Sequence, residues 1–263
     1  MSIALFSAFL TYTLLPFYKS FLRLIGSVDY NYQNKQIPTG FGGLFFFVEV
    51  LLLLLFPQTE IESLWVYLLI ITIIGTYDDL FGEKKIKGLK GHIKAFFNYK
   101  ITSGFLKAVT GGLVALFLGF YLGKNIINSL IHFLLILLMI NALNLFDLRP
   151  GRAAKVFFLL FFVLSISTAF LAESNPALIV IGIMIIVFFQ DVHAKIMIGD
   201  SGANLLGLHL GIWYSLYLPV QLQLVLIIML AYLHYYAERK SLSYFIEKNK
   251  LLKKIDLLGQ KIK

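Results

Sequence analysis

Two adjacent carboxylates, Asp78 and Asp79, end a long apolar stretch and precede a basic segment that contains Lys87, Lys90 and Lys94. Neighbouring residues of a helix point about 100° apart, so one aspartate can bind a metal ion while the other faces a different atom. That arrangement suits a division between a metal ligand and a general base. Two solvated aspartates paired with the nearby lysines are the structural alternative, and the pair alone leaves both interpretations open.

A second polar cluster consists of Asn141, Asn144 and Asp147. Their spacing of three residues places both amides and the carboxylate roughly on one helical face. An unpaired amide within an apolar span costs a few kcal/mol. A hydrogen bond between helices would explain one such asparagine, whereas two aligned with an aspartate favour a polar binding face.

The third cluster is the Gly199-Asp200-Ser201-Gly202 sequence, which precedes another apolar stretch. Asp200 or Ser201 is expected to cap the N-terminus of the following helix. A helix N-terminus among glycines can also bind phosphate directly. In that case Asp200 would hold a metal ion between phosphates.

These clusters are set among apolar stretches that indicate an integral membrane protein. The 263 residues are 59% hydrophobic and 14% charged, whereas soluble domains carry about 25% charged residues. A membrane-spanning helix needs about 20 mostly apolar residues. We therefore expect an all-α polytopic membrane protein with about nine transmembrane helices, at roughly 3–22, 41–57, 62–80, 103–123, 126–146, 155–172, 176–190, 202–218 and 220–237.

The loop charges predict how these helices are oriented. If the spans alternate in direction, all of the 23 Lys and Arg residues except Lys124 fall on one side. The opposite loops carry Glu60, Glu62 and Glu173. The basic side is therefore expected to be cytoplasmic, with the N-terminus outside and the C-terminus inside. The net charge of +9 is thus a topology signal, and no nucleic-acid partner is expected.

This topology places Asp78, Asp79 and Asp147 at the C-termini of helices that run inward. The helix dipole disfavours a negative charge there by about 0.3–1 kcal/mol each. Such carboxylates imply a compensating cation, which either lysine side chains or a metal ion could supply.

The domain organisation is expected to be simple. Residues 1–238 form one transmembrane helical domain with its site at the cytoplasmic face, and residues 239–263 form a basic tail. Apolar residues recur in the tail at near-helical spacing, which indicates an amphipathic helix on an anionic inner leaflet. A solvated basic tail is the alternative. The absence of cysteine excludes disulfides, thiolate zinc sites and cysteine nucleophiles.

Taken in order, the motifs resemble those of the polyprenyl-phosphate sugar-1-phosphate transferases, glycosyltransferase family 4, which includes the phospho-N-acetylmuramoyl-pentapeptide and undecaprenyl-phosphate N-acetylglucosamine-1-phosphate types. The segment from Lys35 to Gly43 resembles the family's Pro-(Thr/Leu)-x-x-Gly-Gly entry to the second span. The Asp78-Asp79 pair, the Asn141-x-x-Asn144-x-x-Asp147 pattern and the Gly-Asp-Ser-Gly sequence at Asp200 match the other motifs.

The resemblance implies that a polyprenyl phosphate attacks the β-phosphate of a UDP-linked amino sugar and releases UMP, with Mg²⁺ as cofactor. It implies Asp78, Asp79 and Asp200 as catalytic residues, with Asp200 and Asp79 as metal ligands. The residues expected to bind substrate are Lys35, Lys94, Asn141, Asn144, Asp147, Arg149, Arg152 and Ser201. A bacterial cytoplasmic membrane is the expected location, and a homodimer is one candidate assembly.

The sequence departs from the family pattern in two places. After the asparagines, Pro150 replaces a second aspartate while Arg149 and Arg152 enter, so these arginines are candidates to grip donor phosphates. No histidine cluster follows Glu238, where family members carry a His-rich loop. A catalytically impaired relative that binds lipid or assists assembly is therefore the alternative. A transporter is less favoured, because transporters place charged or broken helices at the midplane.

Overall fold

The computed structural model describes residues 2–56, 64–82, 88–168 and 174–259. Glu60, Glu62, Glu173 and Lys87, which enter the topology argument, lie outside the described residues. Within the described ranges the chain forms twelve helices and two strands: α1 Ser2–Leu24, β1 Val28–Tyr30, β2 Gln36–Pro38, α2 Gly42–Leu55, α3 Trp65–Phe81, α4 Gly88–Phe97, α5 Ser103–Leu122, α6 Ile126–Phe146, α7 Arg152–Ser167, α8 Asn175–Val192, α9 Gly199–Tyr217, α10 Val220–Arg239, α11 Leu242–Lys248 and α12 Lys250–Leu257.

Each of the nine predicted spans corresponds to one helix among the described residues, from α1 to α10 without α4. By length and composition, four of the described helices can cross a membrane: α5, α6, α8 and α10. The chain is therefore an all-α membrane protein that passes through the bilayer several times. That all nine cross it, and in which direction, stays a prediction.

A short β-hairpin is the exception to the all-α expectation. Strands β1 and β2 pair antiparallel, with Val28 opposite Pro38 and Tyr30 opposite Gln36. The Asn31 side chain stabilises the turn: its oxygen accepts from the backbone of Gln33 and Lys35, and its amide donates to Ala194. These side-chain bonds close a turn that the sequence pattern alone did not reveal.

Helix α9 lies at the centre of the bundle, and nearly all of its residues from Ser201 to Ser215 are buried. Gly207 and Gly211 face α6 closely. A Cβ atom on Gly207 would lie 2.6 Å from Ile140 Cα, and one on Gly211 would lie 2.8 Å from Ile136 Cα. Small residues four apart let two membrane helices approach backbone to backbone. The position of α9 is therefore fixed against α6 along two helical turns.

A buried polar pair joins α2 to α9 within the bundle. Glu49, the one carboxylate deep in a predicted span, lies 2.9 Å from His209 Nε2, and the other ring nitrogen of His209 contacts the Leu205 carbonyl at 2.9 Å. Both side chains are almost fully buried. Glu49 thus has the polar partner that a carboxylate at this depth requires.

The tail folds as two short helices, α11 and α12, where the apolar spacing suggested a single one. Asn249 separates them, because its side-chain oxygen accepts from the backbone amides of Leu251 and Leu252 and so caps α12. Asparagine favours this N-cap position over a helix interior.

Candidate active site

The Asp79 carboxylate is bound at the N-terminus of α9. Its Oδ1 accepts from the backbone amide of Asp200 at 2.7 Å, and its Oδ2 accepts from that of Ser201 at 3.0 Å. Free amides and the helix dipole make a helix N-terminus an anion-binding position. A side-chain carboxylate of α3 occupies the position that the sequence suggested for a phosphate.

Two glycines make room for this carboxylate. Gly40 and Gly199 have positive φ angles of 96° and 76°, which favour glycine. A Cβ atom on Gly40 would lie 2.9 Å from Asp79 Oδ2, and one on Gly199 would lie 2.8 Å from Asp79 Oδ1. The backbone of the two motifs also pairs, with Phe41 N donating to Ile198 O at 2.8 Å. The motifs around Gly40 and Gly199 therefore enclose Asp79 together.

Asp78 and Asp200 share one cation, the ammonium of Lys107 on α5. Lys107 Nζ lies 2.5 Å from Asp78 Oδ2 and 3.0 Å from Asp200 Oδ1. The Asp78 side chain is 9% exposed and that of Asp200 is 31% exposed. Adjacent aspartates on α3 thus face different partners, as the helical geometry predicts, and Asp200 presents the more accessible carboxylate.

Ser201 lies behind this site and joins three helices. It is fully buried, and its hydroxyl accepts from the Gly42 amide at 3.2 Å. A Cβ atom on Gly42 or Gly75 would collide with the Ser201 backbone. Its predicted contact with substrate stays a prediction, while its observed contacts lock α2, α3 and α9 together.

Asp147 caps the C-terminus of α6 and faces the same region. Burial raises the pKa of Asp147 well above its ordinary value, and the negative charges of Asp191 and Asp200 add to this effect. The Gly199 amide and Lys107 act in the opposite direction. Asp147 is thus near enough to Asp200 for their charges to interact, so the acidic residues of three motifs meet in one place.

The two asparagines of the Asp147 motif behave differently. Asn141 donates to Leu137 O of its own helix at 2.9 Å. Asn144 Oδ1 and Asp147 Oδ1 are buried and have no hydrogen-bond partner in the described part of the chain. Buried oxygens without partners are uncommon, and these two can accept hydrogen bonds from a ligand.

The predicted arginines pair with the tail. Arg149 contacts the exposed Glu247. Arg152 is 3% exposed and binds Asp256 through two nitrogens at 2.9 and 2.8 Å. In this conformation the Arg152 guanidinium is engaged by the protein itself, and the donor-binding role of both arginines stays a prediction.

Lys35 and Lys94 lie on the surface. Lys35 sits in the β-hairpin turn and Lys94 in the last turn of α4, and both are exposed. Among the described residues, neither side chain has an ion pair with Asp78, Asp79 or Asp200. Their predicted substrate contacts are not tested by this geometry.

The oxygen-rich site fits Mg²⁺ held jointly with substrate. This ion takes oxygen ligands and is usually held by one or two carboxylates together with substrate phosphates. Asp200 supplies an accessible carboxylate, and the charge of Asp147, whose Oδ1 has no partner in the described part of the chain, interacts with that of Asp200. In the described ranges, no three His, Cys, Asp or Glu side chains form a group that could hold a metal.

Lys107 is the residue that sequence reasoning missed, whereas Asp191 was expected on the same face as the other aspartates but was given no role. Lys107 was assigned only to a loop charge count, although a lone lysine near the start of an apolar helix is a signal for a buried partner. Asp191 is 0% exposed, and neither of its carboxylate oxygens has a hydrogen-bond partner in the described part of the chain.

A family model described as "Glycosyl transferase family 4" matches residues 61–218. The match spans α3 to α9 and so includes Asp78, Asp79, Lys107, Asp147 and Asp200. It leaves out the β-hairpin and the tail.

Curated relatives are similar over most of the chain. A phospho-N-acetylmuramoyl-pentapeptide-transferase of Prochlorococcus marinus (strain MIT 9215) is 28% identical over 202 residues, or 69% of this chain and 56% of the relative. One of Chlamydia abortus is 26% identical over 227 residues, or 75% of this chain and 64% of the relative. The matched region thus covers more than half, but less than two thirds, of the length of each relative.

Proposed function

Because this chain belongs to glycosyl transferase family 4, we propose that it transfers a sugar 1-phosphate from a UDP-sugar to a polyprenyl phosphate. An oxygen of the lipid phosphate forms a bond to the β-phosphorus of the donor. The bond from that phosphorus to the bridging oxygen breaks, and UMP leaves. The site faces the cytoplasm, in a bacterial cytoplasmic membrane.

The observation that carries this proposal is the Asp78–Lys107–Asp200 cluster beside the Asp79-capped start of α9. Lys107 holds Asp78 and Asp200 together, and Asp79 fixes the first turn of α9, which carries Asp200. A site preorganised in this way positions charged reactants without having to reorganise during the reaction. Little of the substrates' binding energy is then needed to order the site, and most of it can serve to position the phosphates.

Each residue has a proposed role in this arrangement. Asp78 orients the lipid phosphate and accepts its proton if it is protonated. Asp200 would hold Mg²⁺, which when bound would neutralise charge on the donor diphosphate. Asp79 positions Asp200, and the free oxygens of Asn144 and Asp147 accept hydrogen bonds from the nucleotide. In this proposal the lipid phosphate binds beside α3, and the nucleotide of the UDP-sugar binds beside the end of α6.

The test is UMP release by purified protein with undecaprenyl phosphate, Mg²⁺ and a panel of UDP-sugars. We expect release with at least one donor, and its loss in both Asp78→Asn and Asp200→Asn. Glu247→Gln removes only an exposed ion pair with Arg149; it serves as the control and should retain activity, since exposed ion pairs contribute little.

The alternative of a catalytically impaired relative makes the opposite prediction. It requires that the protein bind the lipid phosphate but release no UMP with any donor. That outcome would reject the transferase. The chain keeps Asp78, Asp79, Asn144, Asp147 and Asp200 of the family motifs, which argues against this alternative.

A further inference from the structure

The tail is fastened to the turn between α6 and α7 by a buried ion pair. Arg152 Nε and Nη2 donate to the two oxygens of Asp256 at 2.9 and 2.8 Å, and Nη1 donates to Ser243 Oγ at 2.9 Å. Arg152 is 3% exposed and Asp256 is 7% exposed. A planar guanidinium matched to a carboxylate in this way fixes orientation as well as distance.

The start of α7 explains why a tail carboxylate is needed there. Arg152 is the first residue of α7 and Lys155 lies in its first turn. Positive charge at a helix N-terminus opposes the helix dipole. Asp256 supplies a negative charge at this position. Burial by itself raises the pKa of Asp256, but the hydrogen bonds and positive charge of Arg152 outweigh it, so the pKa lies below its usual value.

A second set of contacts holds the end of α12 in place. Lys155 Nζ donates to the carbonyls of Ile255 at 3.0 Å and of Asp256 at 2.6 Å, where the helix dipole favours a cation. Beyond α12, Gly259 lies directly against the Val192 side chain, which also packs on Gly151. The tail therefore contacts the turn and the end of α8 that supports it.

The turn itself links the tail to the site. It begins at Asp147, the cap of α6, and ends at Gly151, whose φ of 83° and N-cap position set the entry into α7. The Val192 side chain of α8 packs on Gly151 from one side, and Arg152 is held by the tail from the other. The turn is thus clamped between α8 and α12.

We propose that Asp256 is a positioning residue for the donor site: through Arg152 it holds the 147–151 turn, and with it Asp147, in place to bind the nucleotide. The inference rests on the proposed function. The tail then supports the donor site through the turn, although it lies outside the part of the chain that the family model matches.

The experiment compares Asp256→Asn, Asp256→Glu and Glu247→Gln in the full chain reconstituted in lipid vesicles. Asp256→Asn should raise the KM for the UDP-sugar by about ten-fold or more, because small misplacements of binding groups are costly. The KM for undecaprenyl phosphate should stay unchanged. Asp256→Glu should recover part of the loss. Glu247→Gln should behave as wild type, since exposed ion pairs contribute little.

Hydrogen exchange gives a readout that does not depend on turnover. Peptides covering residues 147–155 should exchange faster in Asp256→Asn than in wild type or Glu247→Gln. Ser243→Ala removes a single hydrogen bond to Arg152 and should give a smaller increase in exchange. If Asp256→Asn does not fold, Ser243→Ala takes its place in the comparison.

The two arms separate the inference from the proposed function. If wild type releases no UMP but the exchange changes as expected, the clamp stands and the transferase is rejected. Unchanged exchange in 147–155 together with an unchanged donor KM would overturn the positioning role. A rise in activity in Asp256→Asn would also overturn it, because the tail would then inhibit the site.

Discussion

At the scale of single residues, the cation that balances the aspartates is a lysine of the protein itself. Lys107 contacts Asp78 and Asp200, while Asp79 takes backbone amides as its partners. The adjacent aspartates therefore have different functions: one carries charge that is shared with Lys107, and the other builds the helix start on which Asp200 sits. A metal ion, if shared with substrate, adds to this arrangement.

Replacing Lys107 tests this division. Lys107→Gln leaves two carboxylates close together without their shared cation, and we expect kcat to fall by about 10²–10³-fold, as is typical for loss of one preorganised charge-stabilising group. Lys124→Gln, on an exposed position at the opposite end of α5, is the control and should leave kcat unchanged. Steady-state UMP release measures both. A Lys107→Gln enzyme with wild-type kcat would contradict the role given to Lys107.

At the scale of elements, α9 connects the site to the core. Its first turn carries Asp200 and Ser201, and Gly207 and Gly211 set its distance from α6. Because α6 ends at Asp147, the packing of these two helices also sets how Asp147 and Asp200 face each other. The close helix contact thus has a functional consequence some distance from the site.

Gly207→Ala should disturb that contact. The added Cβ would lie 2.6 Å from Ile140 Cα and 2.7 Å from Met139 O, and overpacking of this kind costs about 1–3 kcal/mol. We expect a lower Tm in detergent. Gly112→Ala is the matched control because its Cβ would meet nothing within 4 Å, and alanine in a helix is favoured by about 0.5–1 kcal/mol over glycine. Equal Tm values for the two variants would refute this account of the packing.

The elements show which features could be predicted from sequence. Apolar runs located the nine long helices, and the ordered motifs indicated a family that the comparison confirms. The hairpin was missed because its turn is closed by the Asn31 side chain, which contacts Ala194 far along the chain.

Side-chain partners were harder to predict than elements. The pairing of Arg152 with Asp256 joins residues 104 positions apart, and no local pattern encodes it. Asp79 was expected to face a metal or phosphate, yet its amide partners depend on how α3 meets α9. Spacing along one helix predicts which residues share a face, but not what lies opposite that face.

At the scale of the whole molecule, the site residues gather where the predicted cytoplasmic loops meet. Asp78, Asp147 and Asp200 come from three separate helices, yet the charge of Asp200 interacts with that of each of the other two. This agrees with the direction assigned to α3, α6 and α9 from the distribution of lysine and arginine. A site that uses a UDP-sugar must open to the cytoplasm, so the orientation decides whether the proposed donor can reach it.

Labelling of single cysteines tests the orientation directly, since the chain has none of its own. Asn98 follows α4 and Lys124 joins α5 to α6, and both are exposed at opposite ends of α5. In intact cells, Lys124→Cys should react with a membrane-impermeant thiol reagent, whereas Asn98→Cys should react only after the membrane is opened. The reverse pattern would place the aspartates outside the cell, away from UDP-sugars, and would reject the proposed donor together with the topology.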